Sequence, residues 1–215
     1  LADEGYGVTQ MNFRGSTGYG VAFEKAERKQ WGDVMLNDIN DATRWLVDIA
    51  LAEPSRICIV GEVFGGYAAM MSAVKHPDLY ECAASLNGIS DLYSAVAEGR
   101  RYLGGFYFRR HIGRLWEGKE LDRNSPIKEE LRKAVPLMLT ASEQNRVVSP
   151  RQSLRMYDAL RKSNIPVEFV ELPHGDHFLS REENRQIFAH ALLRFLDEHL
   201  GKPQQQLAQA ISSSQ

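Results

Sequence analysis

Chemistry in this sequence is concentrated in three places: a glycine-flanked turn around Val63, the run Ser142-Glu143-Gln144-Asn145-Arg146, and the histidines His174 and His177. Residues 56–67 read Arg-Ile-Cys-Ile-Val-Gly-Glu-Val-Phe-Gly-Gly-Tyr, an apolar run that ends at Gly61 and passes Gly65 and Gly66 into a helical stretch, Tyr67 to Lys75. That pattern predicts strand, tight turn, helix. With serine in the middle, Gly-x-Ser-x-Gly at such a junction is a nucleophile elbow. The strained turn lifts the serine Oγ above the sheet, and the glycines let strand and helix pass closely. Here the middle residue is Val63. An isopropyl group has no lone pair and no proton, so it can neither attack a carbonyl nor be activated by a base.

The elements that would position these residues alternate in type. Residues 1–14 read as a helix end, a Gly5 cap and a strand. Trp31-Gly32-Asp33 opens a helix to about Ala52, with Val34, Ile39, Ala42, Trp45, Leu46 and Ile49 near helical spacing, and Glu53-Pro54-Ser55 stops it before the elbow strand. Cys82 to Gly88, Ala134 to Thr140 and Pro166 to Leu172 are the later strands. Gln152 to Arg161 is an amphipathic helix, and Asn184 to Leu200 a closing helix with Phe188, Leu192, Leu193, Phe195 and Leu196 on its apolar face. Gly201-Lys202-Pro203 ends it. The expectation is a three-layer α/β sandwich on a mostly parallel sheet, with strands ending near residues 13, 60, 87, 140 and 172 adjacent in one sheet. Residues 1–200 would form the folded unit and the Gln/Ser-rich 201–215 a disordered tail.

Composition narrows the function. With 215 residues, 43% hydrophobic and 25% charged, the chain can bury one sizeable core. A net charge of −2 gives no reason to expect nucleic acid or an anionic membrane as partner. No apolar run reaches the roughly 18 residues that a membrane-spanning helix needs. Cys58 and Cys82, the only two cysteines, sit in predicted buried strands and read as packing residues rather than a disulfide or a metal pair. Gly15-Ser16-Thr17-Gly18-Tyr19-Gly20 lacks both Gly-x-Gly-x-x-Gly spacing and a P-loop lysine, so phosphate binding is discounted. No cofactor and no metal is implied. The chain starts at Leu1 without an initiator methionine, so compartment is not constrained, and a homo-oligomer stays open.

Gly61-Glu62-Val63-Phe64-Gly65-Gly66-Tyr67 resembles the Gly-x-Ser-Tyr/Phe-Gly-Gly-Tyr elbow of the prolyl oligopeptidase family of serine peptidases, in particular its acylaminoacyl-peptidase and dipeptidyl-peptidase branches. Asn12-Phe13-Arg14-Gly15-Ser16-Thr17-Gly18-Tyr19-Gly20 is similar to a second phrase of that family, and Ser125-Pro126-Ile127 to a third. His174-Gly175-Asp176-His177-Phe178 with Glu183-Asn184-Arg185 resembles its Gly-x-Gly-His-Gly-Phe…Glu-Asn-Arg ending. The resemblance implies an α/β-hydrolase fold. In the family, further strands, a His-Gly-Gly-Pro loop and commonly a β-propeller precede this passage, so an N-terminally truncated domain is expected.

The same resemblance assigns the residues. His177 takes the position of the triad histidine, Val63 that of the nucleophile, and Gln144 that of the acid, where relatives read His-Gly-x-x-Asp-Asp/Asn-Arg-Val and this chain reads Thr140-Ala141-Ser142-Glu143-Gln144-Asn145-Arg146-Val147. Tyr19 and the N–H of Phe64 fall at the oxyanion positions, a phenolic O–H beside developing negative charge being a sound electrostatic device. A tyrosine simply packed in its turn is the other reading of Tyr19. Arg146 and Tyr67 fall on the substrate side, Arg146 being equally a surface arginine. The ligand class implied is a peptide or acyl-peptide. Aromatics between residues 93 and 128, among them Tyr93, Tyr102, Phe106, Tyr107, Phe108 and Trp116, either line an apolar pocket or form core under a long excursion.

Gln144 can hydrogen-bond an imidazole but cannot stabilise imidazolium by charge. Glu143, one residue away, would point to the other side of an extended segment. Two of three triad positions are thus chemically disabled, which points first to a catalytically inactive family member kept for peptide binding, regulation or assembly. Two alternatives remain: an active hydrolase with a displaced nucleophile, for which Ser142 and Ser72 are the nearby serines, and a decayed gene product.

Overall fold

Small and β-branched residues carry the sheet. The strands are β1 (Cys58–Glu62), β2 (Cys82–Leu86), β3 (Leu137–Ser142) and β4 (Val167–Leu172), all parallel, in the order β1-β2-β3-β4. The structure, a computed structural model, describes residues 1–101, 103 and 105–202. Every residue of β2 and β3 is buried, as expected for parallel strands covered on both faces.

Helices form the outer layers. They are α1 (Val21–Lys25), α2 (Val34–Asp48), α3 (Phe64–Lys75), α4 (Leu92–Glu98), α5 (Gly105–His111), α6 (Gly118–Arg123), α7 (Arg151–Lys162) and α8 (Glu182–Leu200). On one face Ala69, Met70 and Ala73 of α3 and Met156 and Leu160 of α7 pack on Ala83, Leu137 and Leu139. On the other, Leu192, Phe195 and Leu196 of α8 pack on Cys82, Ala84 and Met138. The alternation 82, 84 against 83 is the pleat of β2 sending neighbours to opposite sides. Each fully buried large side chain contributes about 1.5–3 kcal/mol of burial free energy, so these two interfaces hold the three layers together. Helix α3 is rich in good helix formers, Ala68, Ala69, Met70, Met71 and Ala73, and stops at His76 because Pro77 disfavours helical geometry before it.

The structure differs from the sequence reading in three places. Residues 7–13 form no ladder, although a fifth strand was expected there. Val8 is 61% exposed, and the polar Thr9, Gln10 and Asn12 give the run no continuous apolar face to bury. Trp45 and Ile49 lie 58% and 48% exposed, because α2 buries only the stripe through Met35, Leu36 and Asn40 against α3. Cys58 and Cys82 are joined as a disulfide: they are register partners on β1 and β2, with Cα atoms 4.7 Å apart, where a bridge fits. Among the excursion aromatics Phe108 is core, whereas Phe106 and Trp116 are 70% and 76% exposed. Tyr102 and the expected tail from Pro203 onward lie outside the described residues. Gly5, read as a cap, does close a short 3-10 turn (Ala2–Glu4) in the left-handed region, and no described helix is long and apolar enough to cross a membrane.

Candidate functional site

At the end of β1 the backbone turns at Val63 with φ 54° and ψ −105°. A β-branched residue at positive φ is a true outlier, costing on the order of 1–3 kcal/mol, and it persists because its surroundings fix it. The Val63 N–H donates to Leu86 O on β2 at 3.0 Å, and its carbonyl accepts the first helical bond of α3, from Tyr67 N–H, at 3.0 Å. The turn is so tight that a Cβ on Gly61 would lie 2.2 Å from the carbonyl carbon of Gly65, and one on Gly66 would lie 2.8 Å from Cα of Gly88. These are the close approaches for which an elbow needs glycine. The side chain it presents is nevertheless an isopropyl group, partly buried against the core cluster of Trp31 and Tyr67.

Phe64 follows as the first residue of α3, so its N–H belongs to the free donor end of the helix, which carries partial positive charge. The Phe64 ring meets Phe13 at 5.1 Å and Trp31 at 4.9 Å. Through Phe13 the glycine-rich loop 14–20 is seated beside the elbow. Arg14 fastens that loop to α2: its Nε donates to Asp38 Oδ2 at 2.9 Å, and its backbone N–H donates to the same oxygen at 2.9 Å. This hydrogen bonding holds the Asp38 carboxyl below the usual carboxylate range. Gly15, at φ 109°, packs so tightly that a Cβ would fall 2.7 Å from Glu27 Cβ. Tyr19, farther along, is 58% exposed, and its hydroxyl oxygen accepts from Asn12 Nδ2 at 2.8 Å.

The other positions lie at the carboxyl ends of β3 and β4. With strands about 4.8 Å apart, the ends of β1 and β3 are separated by about 10 Å along the same edge. Gln144, two residues past β3, donates its backbone N–H to Gly175 O at 2.8 Å, locking the two loops together. Its side-chain Nε2 lies 3.4 Å from Nδ1 of His174. Glu143 joins the same histidine, accepting His174 N–H at 2.7 Å with its carboxylate 3.3 Å from Nδ1. Gln144, which the sequence reading pairs with His177, therefore meets His174 instead, together with Glu143. Nδ1 of His177 is buried without a hydrogen-bond partner among the described residues. Desolvation pushes the His177 pKa below its ordinary value, partly opposed by Asp176.

Of the two substrate-side positions, Tyr67 is buried and Arg146 lies at the surface, one of the two readings given for it. Tyr67 is fully buried, its hydroxyl donating to Asn124 O at 2.9 Å, and it packs in the core cluster with Trp31, Leu92, Phe108 and Leu121. Arg146 is exposed on the loop after β3, where its carbonyl accepts Leu103 N–H at 2.8 Å. Asn87, which sequence reading passed over, is the tie at this edge. It sits at φ 51°, its Oδ1 accepts Ser142 N–H at 2.9 Å, and its Nδ2 donates to Ser142 Oγ at 3.1 Å. An Asn-Gly pair, Asn87-Gly88, closing the predicted strand is the signal that could have marked it, since Asn tolerates the left-handed region.

A parallel sheet whose strand enters a glycine-walled, positive-φ elbow, with the loops of Gln144 and His177 at later strand ends, defines the α/β-hydrolase class. Within that class the chain belongs to the prolyl oligopeptidase family, whose profile matches residues 1–203. It is 30% identical to the dipeptidyl aminopeptidase BIII of Pseudoxanthomonas mexicana over 94% of the chain and 30% of that protein. It is 26% identical to the acylamino-acid-releasing enzyme of Rattus norvegicus over 94% of the chain and 28% of that protein. Among solved structures, a puromycin-hydrolyzing peptidase of Mycobacterium tuberculosis superposes with a TM-score of 0.79 at 30% identity, over 88% of this chain and 29% of that one. Pyrococcus horikoshii acylaminoacyl peptidase gives 0.79 at 25% identity, over 89% and 32%. The chain thus spans about 30% of the length of the curated relatives it matches.

Proposed function

We propose that this chain is a non-hydrolysing member of its family that retains the peptidase frame as a binding module for a peptide or acyl-peptide. The observation that carries the proposal is Val63: the strained elbow backbone is kept, and the side chain it lifts cannot act as a nucleophile. Serine catalysis needs a base to accept the hydroxyl proton and a carboxylate to orient that base and stabilise it as imidazolium. Desolvation disfavours the charged form of His177, and the amide at 144 faces His174. The two alternative serines are sequestered. Ser142 is fully buried with its Oγ accepting from Asn87, and Ser72 is fully buried with its Oγ donating to Asn40 Oδ1 at 3.1 Å. The relatives' names, a dipeptidyl aminopeptidase and an acylamino-acid-releasing enzyme, supply the ligand class.

A fluorophosphonate probe, which esterifies activated serines, tests this reading. The expected result is no labelling of the folded chain above the level of heat-denatured protein. Stoichiometric labelling that maps to Ser142, Ser72 or any other serine overturns it.

A further inference from the structure

The excursion between β2 and β3 presents a surface that the elbow does not use. Helix α5 buries Phe108 and turns Phe106, Arg109 and Arg110, at i, i+3 and i+4, outward on one face. The following turn adds Arg114 and Trp116, the guanidinium lying 4.9 Å over the indole ring. Together with Leu115 and the Val96–Ala97 end of α4, these residues line an open groove of about 900 Å³ that includes none of Val63, Gln144 or His177. Lys29 on its rim is paired with Glu117 at 2.5 Å, and the same carboxylate accepts Arg114 N–H at 2.8 Å, whereas no ion pair within 4.0 Å engages the Arg109 or Arg110 guanidinium among the described residues. In a chain of net charge −2, three guanidinium groups, two of them without an ion-pair partner among the described residues, beside two exposed aromatic rings are a local reversal of the average surface.

We propose that this groove binds an acidic peptide segment carrying an apolar or aromatic side chain. Arginine suits the role because its planar fork pairs with carboxylates bidentately, and stacking on Trp116 holds Arg114 ready to do so. Exposed Trp, Phe and Arg together are the composition of binding hot spots rather than of a merely solvated face. A long polyanion fits less well. The basic groups cover about one helical turn and its following loop instead of a continuous stripe, and the negative remainder of the molecule repels charge beyond the groove. The proposal is independent of the chemistry at the elbow and stands whether or not the chain hydrolyses peptides.

The experiment uses the full chain and a fluorescein-labelled peptide of about ten residues, alternating Glu and Ser around a central Phe, with anisotropy as the readout. Comparison probes are the Glu→Gln peptide, the Phe→Ser peptide and a single-stranded oligonucleotide of matching charge. Saturable binding of the acidic peptide is expected, weakened by about tenfold or more when salt rises from about 0.05 to 0.5 M. Arg109→Gln with Arg110→Gln should weaken it at least tenfold, and Trp116→Ala should weaken it while leaving the fold intact by circular dichroism. Charge reversal, Arg109→Glu, serves as a second variant. No binding, equal binding of the Gln peptide, or insensitivity to all the variants overturns the proposal. Tighter binding of the oligonucleotide overturns it in favour of a polyanion site.

Discussion

Gly61 and Gly65 touch backbone to backbone: a Cβ on Gly61 would stand 2.2 Å from the Gly65 carbonyl carbon, whereas a Cβ on Gly65 itself would meet nothing within 4 Å. Neighbouring glycines of the same turn should therefore respond oppositely to alanine. Gly61→Ala is expected to cost more than roughly 3 kcal/mol, because neither backbone can yield. Gly65→Ala, on ordinary helical backbone, should be neutral or stabilise by about 0.5–1 kcal/mol. Urea denaturation midpoints of the two variants check this, and equal losses would show that the elbow is looser than described.

Val63 should be unusually tolerant of glycine. Removing its partly buried side chain costs packing, but relieving a β-branched residue at φ 54° returns about 1–3 kcal/mol. Val63→Gly is thus expected within about 1 kcal/mol of the parent, while Val74→Gly, in the buried interior of α3, should cost about 3 kcal/mol or more. Thermal unfolding of both variants gives the comparison.

Much of this was legible in the sequence, for identifiable reasons. The strands β1 to β4, the elbow and the long helices carry strong local signals, namely apolar runs, glycine pairs and proline stops. The pairing partners of exposed or polar groups were not. The family resemblance placed Gln144 and His177 near each other. It could not say that His174, at φ 53°, swings its ring to Gln144 and Glu143 while Nδ1 of His177 is buried without a partner among the described residues. The strand expected at 7–13 failed because a local pattern says nothing about the partner strand a ladder requires. The Cys58–Cys82 bridge depended on register between β1 and β2, which no single strand reports.

Stability should fall with acidification just below neutrality. Desolvation depresses the pKa of both His177 and His76 in the folded state, so the unfolded chain binds protons first. A depressed pKa means that the stability contribution is fully present above the ordinary value of about 6.5 and is lost as pH falls through the folded pKa. Urea unfolding between about pH 7.5 and 5 should show this decline, and His177→Gln should flatten part of it. A His177 ring proton titrating above about 6.5 by NMR would contradict the assignment.

Rebuilding the triad should be cooperative. Val63→Ser alone leaves an amide at 144, and replacing a triad aspartate by its amide elsewhere lowers kcat by about 10⁴, roughly 5.4 kcal/mol of transition-state stabilisation. Val63→Ser with Gln144→Asp should exceed the product of the single effects, because triad members act as a unit. Steady-state hydrolysis by the three variants checks it, and a single Val63→Ser as active as the double would show that Gln144 suffices.

The most direct test is turnover by the unmodified chain. Hydrolysis of aminoacyl-p-nitroanilides and p-nitrophenyl esters is measured for the parent and for His177→Ala in parallel. The account predicts that both remain at the background of denatured protein, since Val63 offers no nucleophile and Ser142 and Ser72 are buried. Robust turnover by the parent, abolished in His177→Ala, would contradict it.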